Sequence, residues 1–200
     1  MQKSYISAEQ LLQDSFALAI QVATSGFVPE LIVGIWRGGA PVAIVMQEVL
    51  EFAGIACNHL AIRTSSYSDI GKRTEVKVQG MEGLASQLTN ILSVLLVDDI
   101  FDSGLSMAKV LEEMRGICAK PLVIKIATPY YKPANNQTTL QPDFFLQSTT
   151  DWLVFPHELQ GLTQDELLNH KPVPQALKQQ LLELQNLQIQ KNQARKKANL

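Results

Sequence analysis

The sequence predicts an α/β fold: an open, mostly parallel sheet with helices on both faces, an irregular C-terminal hood and an extra C-terminal helix. Three observations lead there. Strand-like and helix-like segments alternate from Leu31 to Thr128, the pattern of a parallel sheet built from βαβ units. Two of the strand-like segments, LIVGI (31–35) and ILSVLL (91–96), are continuous short apolar runs, as expected of strands covered on both faces. Finally, residues 97–106 read VDDIFDSGLS. They carry carboxylates and a Ser/Gly turn from the end of an apolar run into a helix start, which is where an open α/β sheet presents its ligand groups.

The elements follow in order. Ser7-Ala8-Glu9-Gln10 fits a capping box, and Leu11, Leu12, Ser15, Phe16, Ala19, Ile20 and Ala23 recur at helical spacing. Gly26 can stop that helix. Leu31–Ile35 is a buried strand, followed by the tight turn Arg37-Gly38-Gly39. Pro41 suits the first turn of a helix running to about Phe52. Gly54 precedes a second strand, Ile55–Ile62. Residues 64–75 (TSSYSDIGKRTE) are polar and unperiodic and predict a mobile loop, which Val76-Lys77-Val78 leaves as a strand. Residues 80–90 are a connector with helical character. The run 91–96 is the strand that opens onto VDDIFDSGLS, and Met107–Met114 is the helix after it. Pro121–Thr128 predicts a further strand and Asp143–Leu146 a last short one. Residues 148–171 hold aromatics, Pro156 and two histidines in no regular pattern and predict a cap over the sheet's C-terminal edge. Beyond Pro174, Leu177, Leu181, Leu184 and Leu187 mark an amphipathic helix with a basic end, Arg195 to Lys197. The expected organisation is a core over 1–147, a hood over 148–171 and a helical extension over 172–200.

Composition narrows the function. The formal net charge is −2 and charged residues make up 18% of the 200, so neither nucleic acid nor an acidic membrane is expected as a partner. No apolar run approaches the roughly 18 residues that span a bilayer. Gln2–Ser15 is polar and lacks the pattern of a signal peptide. Cys57 and Cys118 are expected as buried thiols of a cytoplasmic protein.

The segment 97–106 itself proposes a phosphorylated sugar ligand. Backbone N–H groups near Gly104 and the hydroxyls of Ser103 and Ser106 suit a terminal phosphate at a helix N-terminus. Asp98 and Asp99 suit sugar hydroxyls and a hydrated Mg2+. The plainer alternatives are an ordinary N-cap turn and a solvated strand end.

VDDIFDSGLS resembles the phosphoribosyl-pyrophosphate (PRPP) motif of type I phosphoribosyltransferases. VGIWRGGAPVA (33–43) is similar to that family's pyrophosphate loop, and SSYSDIGKR (65–73) to its flexible loop. YYKP (130–133) and DWLVFPHE (151–158) resemble the base-binding end of 6-oxopurine phosphoribosyltransferases, most of all the short xanthine-guanine/hypoxanthine type. The matches run in the family's order from about Glu30 to Glu158. Ser103 and Ser106 stand where Thr is usual. Leu105 stands where Gly is common, so its backbone must avoid positive φ. Trp36 is bulky for its loop, and the C-terminal helix is additional.

The resemblance implies a purine-salvage transferase that uses PRPP, a purine base and Mg2+, and that forms a homo-oligomer, dimer or tetramer. Ser103, Gly104, Leu105 and Ser106 would cradle the 5′-phosphate. Asp98 and Asp99 would hold the ribose hydroxyls and the metal. Asp102 would be the general base for the purine N7 proton. Arg37, Gly38 and Gly39 would bind pyrophosphate through backbone amides, with a cis peptide between Arg37 and Gly38. Ser66, Tyr67 and Arg73 would close over it. Lys132 would donate to the purine O6, Trp152 would stack on the base and the Leu153 carbonyl would face its 2-position. Core packing is the alternative for Trp152, and a solvated loop for Lys132 and for 65–73. His59, His157 and His170 are too scattered for a metal site and are expected to be structural or superficial. The competing function is a non-catalytic PRPP- or nucleotide-binding regulator on the same fold.

Overall fold

Buried apolar strands need helices on both faces, and the chain supplies them in turn. In the computed structural model, residues 3–67, 75–88, 90–118 and 120–198 are described. They form β1 (Lys3–Tyr5), α1 (Ala8–Thr24), β2 (Leu31–Trp36), α2 (Gly39–Phe52), β3 (Asn58–Tyr67), β4 (Glu75–Gln79) and α3 (Met81–Leu88). Then come β5 (Ser93–Val97), β6 (Ile100–Phe101), α4 (Leu105–Ile117), β7 (Val123–Tyr131), a 3₁₀ turn (Pro133–Asn135), β8 (Phe144–Ser148) and β9 (Trp152–Val154). Two helices, α5 (Gln164–His170) and α6 (Gln175–Ala198), end the chain.

Strands β2 to β8 make one sheet in which β3–β4 is the antiparallel pair and the other pairings are parallel. β5 and β6 face β7 at the same offset, Ser93 opposite Val123 and Ile100 opposite Tyr130. β6 is therefore the continuation of β5 after a two-residue break at Asp98 and Asp99. From β2 the chain moves outward to β3 and β4, then crosses to the other side of β2 for β5. That reversal makes a switch point between β2 and β5, and ligands of open α/β sheets bind outside the carboxyl ends of such strands. Here those ends carry residues 36–39 and the Asp98-Asp99 break.

Strand alternation explains the two halves of the core. Leu31, Val33, Ile35, Val94 and Leu96 face Leu84, Val110, Leu111 and Met114 of α3 and α4. Ile32, Leu95 and Val97 face Leu18, Val22, Val42 and Met46 of α1 and α2. Each such side chain contributes roughly 1.5–3 kcal/mol by leaving water.

Several sequence expectations need correction. Ser7 does cap α1, accepting the Gln10 N–H at 3.0 Å, but the reciprocal half of the capping box is not made; the Gln10 side chain donates to Asp14 instead, at 2.8 Å. The capping box with both halves present lies at Thr163 and Glu166 of α5. The loop expected over 64–75 is narrower, since residues 64–67 continue β3 against β4. The hood is not irregular: it contains β9 and α5, and β9 pairs in parallel with β1, Lys3 opposite Trp152. Strands of three residues are too short to show a period, and each of these is stabilised by a partner some 150 positions away. The Ser4 hydroxyl donates to Asp151 at 2.7 Å and Lys3 pairs with Glu166 beside that ladder. In α6, Lys178 is buried and donates to the Leu168 carbonyl at 2.5 Å, while Leu177, Leu184 and Leu187 are exposed. Cys57 and Cys118 are free and half-buried. No helix among the described residues is long and apolar enough to cross a membrane.

Candidate active site

At the β5–β6 break the backbone leaves the ladder and sets its two acids at the switch point. Asp99 is buried, and its N–H donates to the Asp98 carboxylate at 3.0 Å. Burial, and then the neighbouring Asp99 charge, push the Asp98 carboxyl well above its ordinary range, against an opposing hydrogen bond from the Gly39 backbone.

Residues 103–106 follow as a turn into α4. Gly104 caps the helix at φ 75°, and Leu105 is already helical, so the positive-φ demand falls on glycine alone. A Cβ on Gly104 would lie 2.6 Å from Thr138 Oγ1 and 2.9 Å from Asn136 Oδ1. The segment behind is thus in contact with the turn, and the Gln137 N–H donates to the Ser103 carbonyl at 2.9 Å. In front, Asp98, Asp102, Ser103, Gly104 and Ser106 line a small cavity of about 80 Å3 with Phe101 at its wall. Its scale and its helix N-terminus suit a phosphate group.

The β2 turn closes the other side. A Cβ on Gly38 would lie 2.0 Å from Asp99 Oδ2, and one on Gly39 would lie 2.3 Å from the Val97 carbonyl oxygen. Only glycine permits this approach. The cis peptide of the turn falls between Trp36 and Arg37, one residue before the Arg37–Gly38 bond expected from sequence. The Arg37 side chain is exposed and reaches the hood, Nη2 donating to Gln160 Oε1 at 3.4 Å.

The end of the site that carries Lys132 and Trp152 is assembled from β7, β9 and the turn after Phe101. The Lys132 N–H bonds the Phe101 carbonyl at 2.9 Å, pinning the end of β7 beside β6. The Lys132 side chain is buried, with Nζ 3.3 Å from Asp102 Oδ2 and 5.4 Å from the centre of the Trp152 ring. The solvated-loop alternative for Lys132 is thereby excluded. Trp152 is 52% exposed, so core packing does not account for it. Asn135 donates to Asp102 Oδ1 at 2.8 Å. The Ile6 N–H takes the Val154 carbonyl at 3.0 Å. Successive carbonyls of a strand alternate in direction, so that of Leu153 points away from β1, along the other edge of β9.

The structure therefore brings together Asp98, Asp99, Asp102, Ser103, Gly104, Ser106, Gly38, Gly39, Lys132 and Trp152. Leu105 starts α4 without lining the cavity. Arg73 lies outside the described residues, as do the side chains of Ser66 and Tyr67, whose backbones end β3.

Two neighbours of the site were not legible as such. His157, expected to be structural or superficial, places Nε2 3.4 Å from Asp99 Oδ2 and stacks on Phe155. Asn135 lies three residues beyond Lys132, the spacing at which a 3₁₀ turn superimposes side chains; that spacing was the available signal.

The phosphoribosyl transferase domain family matches residues 1–161. A purine phosphoribosyltransferase from Pyrococcus horikoshii is 27% identical at a TM-score of 0.64, with 82% of this chain and 98% of that one covered. The xanthine-guanine-hypoxanthine phosphoribosyltransferase of Helicobacter pylori is 24% identical at 0.60, covering 76% and 92%. A Neisseria gonorrhoeae protein with bound ppGpp is 21% identical at 0.67, covering 80% and 91%. The last two show likeness of fold. No curated protein matches the chain.

Proposed function

Because the chain belongs to the phosphoribosyl transferase domain family, we propose that it transfers the 5-phosphoribosyl group of PRPP to a 6-oxopurine: hypoxanthine, guanine or xanthine. The observation that carries this reading is the pair Lys132 Nζ and Asp102 Oδ2, 3.3 Å apart beneath the Trp152 ring. A 6-oxopurine presents an acceptor, O6, beside a donor, N7–H. An ammonium next to a carboxylate is its complement. Adenine presents an amino group at the 6-position, so its donor would face the buried Lys132 ammonium, itself a donor.

In this reading the amides and hydroxyls of Ser103 to Ser106 hold the 5′-phosphate, and the Arg37 and Gly38 amides hold the pyrophosphate, the Gly39 N–H being engaged by Asp98. Trp152 stacks on the purine and the Leu153 carbonyl meets its 2-position. The C1′–oxygen bond to pyrophosphate breaks as the purine N9 bonds C1′, and the N7 proton passes to Asp102.

The residues present also fit Mg2+. Asp98 and Asp99 are adjacent carboxylates beside the Gly38 turn, a poor place for a polyphosphate unless a cation accompanies it. Asp98 and Asp99 would be its protein ligands, in keeping with the one or two carboxylates that Mg2+ takes alongside substrate phosphates. Bound there, the ion would neutralise charge on the departing pyrophosphate.

The test is a turnover assay of the folded chain with PRPP, Mg2+ and each of hypoxanthine, guanine, xanthine and adenine. Nucleoside 5′-monophosphate is expected from at least one 6-oxopurine and not from adenine. No turnover of any 6-oxopurine would defeat the proposal.

A further inference from the structure

We propose that Asn135 is a positioning residue for the transfer step, holding the Asp102 carboxylate in the orientation that lets it take the purine proton. The inference rests on the transferase reading above and adds to it a residue that touches neither substrate.

The geometry is specific. The turn that follows β7 brings the Asn135 N–H back to the Lys132 carbonyl at 3.1 Å. Lys132 and Asn135 thus leave one short turn together and meet the same carboxylate, one on each oxygen. Asn135 Nδ2 reaches Oδ1 at 2.8 Å and Lys132 Nζ reaches Oδ2 at 3.3 Å. The shorter bond is the one from the uncharged donor.

That division matters for the chemistry. Left with Lys132 alone, Asp102 would be free to turn both oxygens toward the ammonium, since Lys132 and Asn135 are its hydrogen-bond partners among the described residues. The ion pair would then close on itself. Lys132 would be drawn from the purine O6 and Asp102 from the N7 proton, and the complementary edge would be lost. An amide is suited to prevent this. It donates to one oxygen without adding charge, fixes the plane of the carboxylate and leaves the other oxygen at the edge the purine meets. Such fixing of a catalytic group by its neighbours is what keeps it in the reactive geometry.

Two substitutions separate this role from a merely structural one. Asn135→Ala removes the donor. Asn135→Asp keeps the size and the turn-forming character but replaces the donor with a second carboxylate facing Asp102. Steady-state kinetics with a 6-oxopurine are expected to show kcat reduced roughly 10- to 100-fold in Asn135→Ala, the range of a hydrogen bond to a charged group. KM for PRPP should stay unchanged, because Asn135 does not line the phosphate-sized cavity. Asn135→Asp should be impaired at least as much, and the two facing carboxylates should lower its melting temperature as well. If Asn135 served only the turn, folded Asn135→Ala would lose melting temperature but keep wild-type kcat, and that result overturns the proposal. Equal losses in kcat and in PRPP affinity would overturn it too. A wild-type chain without turnover would defeat the transferase reading itself, an outcome distinguishable from either.

Discussion

A Cβ on Gly38 would lie 2.0 Å from the Asp99 carboxylate, so the β2 turn and the acid pair of the β5–β6 break touch with no side chain between them. Two segments 61 positions apart in sequence are thereby fitted to each other at the switch point. Gly38→Ala is expected to displace Asp99 or the turn. The cost should be on the order of 100-fold in kcat/KM for PRPP, as for a misplacement of about 1 Å. Gly39→Ala meets the Val97 backbone, which cannot swing aside, and should destabilise the fold by about 1–3 kcal/mol as well. Gly116→Ala is the control. Nothing lies within 4 Å of its Cβ in α4, so it should stabilise by about 0.5–1 kcal/mol with activity intact. Melting curves and steady-state kinetics on the three variants check the order.

Gly104→Ala combines a left-handed backbone with contacts of 2.6 Å to Thr138 and 2.9 Å to Asn136. The turn would have to unwind at the start of α4, where the amides face the phosphate-sized cavity. Loss of PRPP binding, measured by calorimetry, is expected even where the folded state survives. Wild-type affinity in Gly104→Ala would contradict the assignment of that turn to the 5′-phosphate.

Asp102→Asn keeps the shape of the side chain and removes the base. Turnover should fall by about 100- to 10,000-fold, the range of a general base, while PRPP binding persists. A protein that used the fold only to bind nucleotide would have no turnover to lose, so the pair of measurements also separates the transferase from the non-catalytic alternative.

The Lys3 ammonium, aided by the Thr163 N–H, lowers the Glu166 carboxyl from 4.5 to about 2. A folded value below the unfolded one contributes stability above about 4.5 that is lost as pH falls toward 2. Glu166→Gln is therefore expected to be less stable than wild type at pH 6 and to converge with it near pH 2. Denaturant unfolding at a series of pH values measures this. A difference that grows on acidification would contradict the sign.

Much of this architecture was readable in the residues. Apolar runs such as LIVGI and ILSVLL have no exposed face, so they specified a covered parallel sheet. VDDIFDSGLS placed carboxylates, turn and helix start together because those residue types serve one local turn. What escaped was long-range. β1 and β9 are held by each other across the chain, and nothing within KSY or WLV announces a strand. His157 sits in FPHE like any surface residue, yet the hood folds it against Asp99 at 3.4 Å. The cis bond, placed one residue late, is a matter of backbone geometry that the letters WRGG do not carry.

The most direct measurement is a structure with a 6-oxopurine nucleoside 5′-monophosphate bound. The phosphate should rest on the amides of residues 103 to 106, with the ribose against Asp98 and Asp99. The purine should lie on Trp152, its O6 toward Lys132 and its N7 toward Asp102. A nucleotide seated elsewhere, or one reversed so that the base fills the turn before α4, would contradict the assignment.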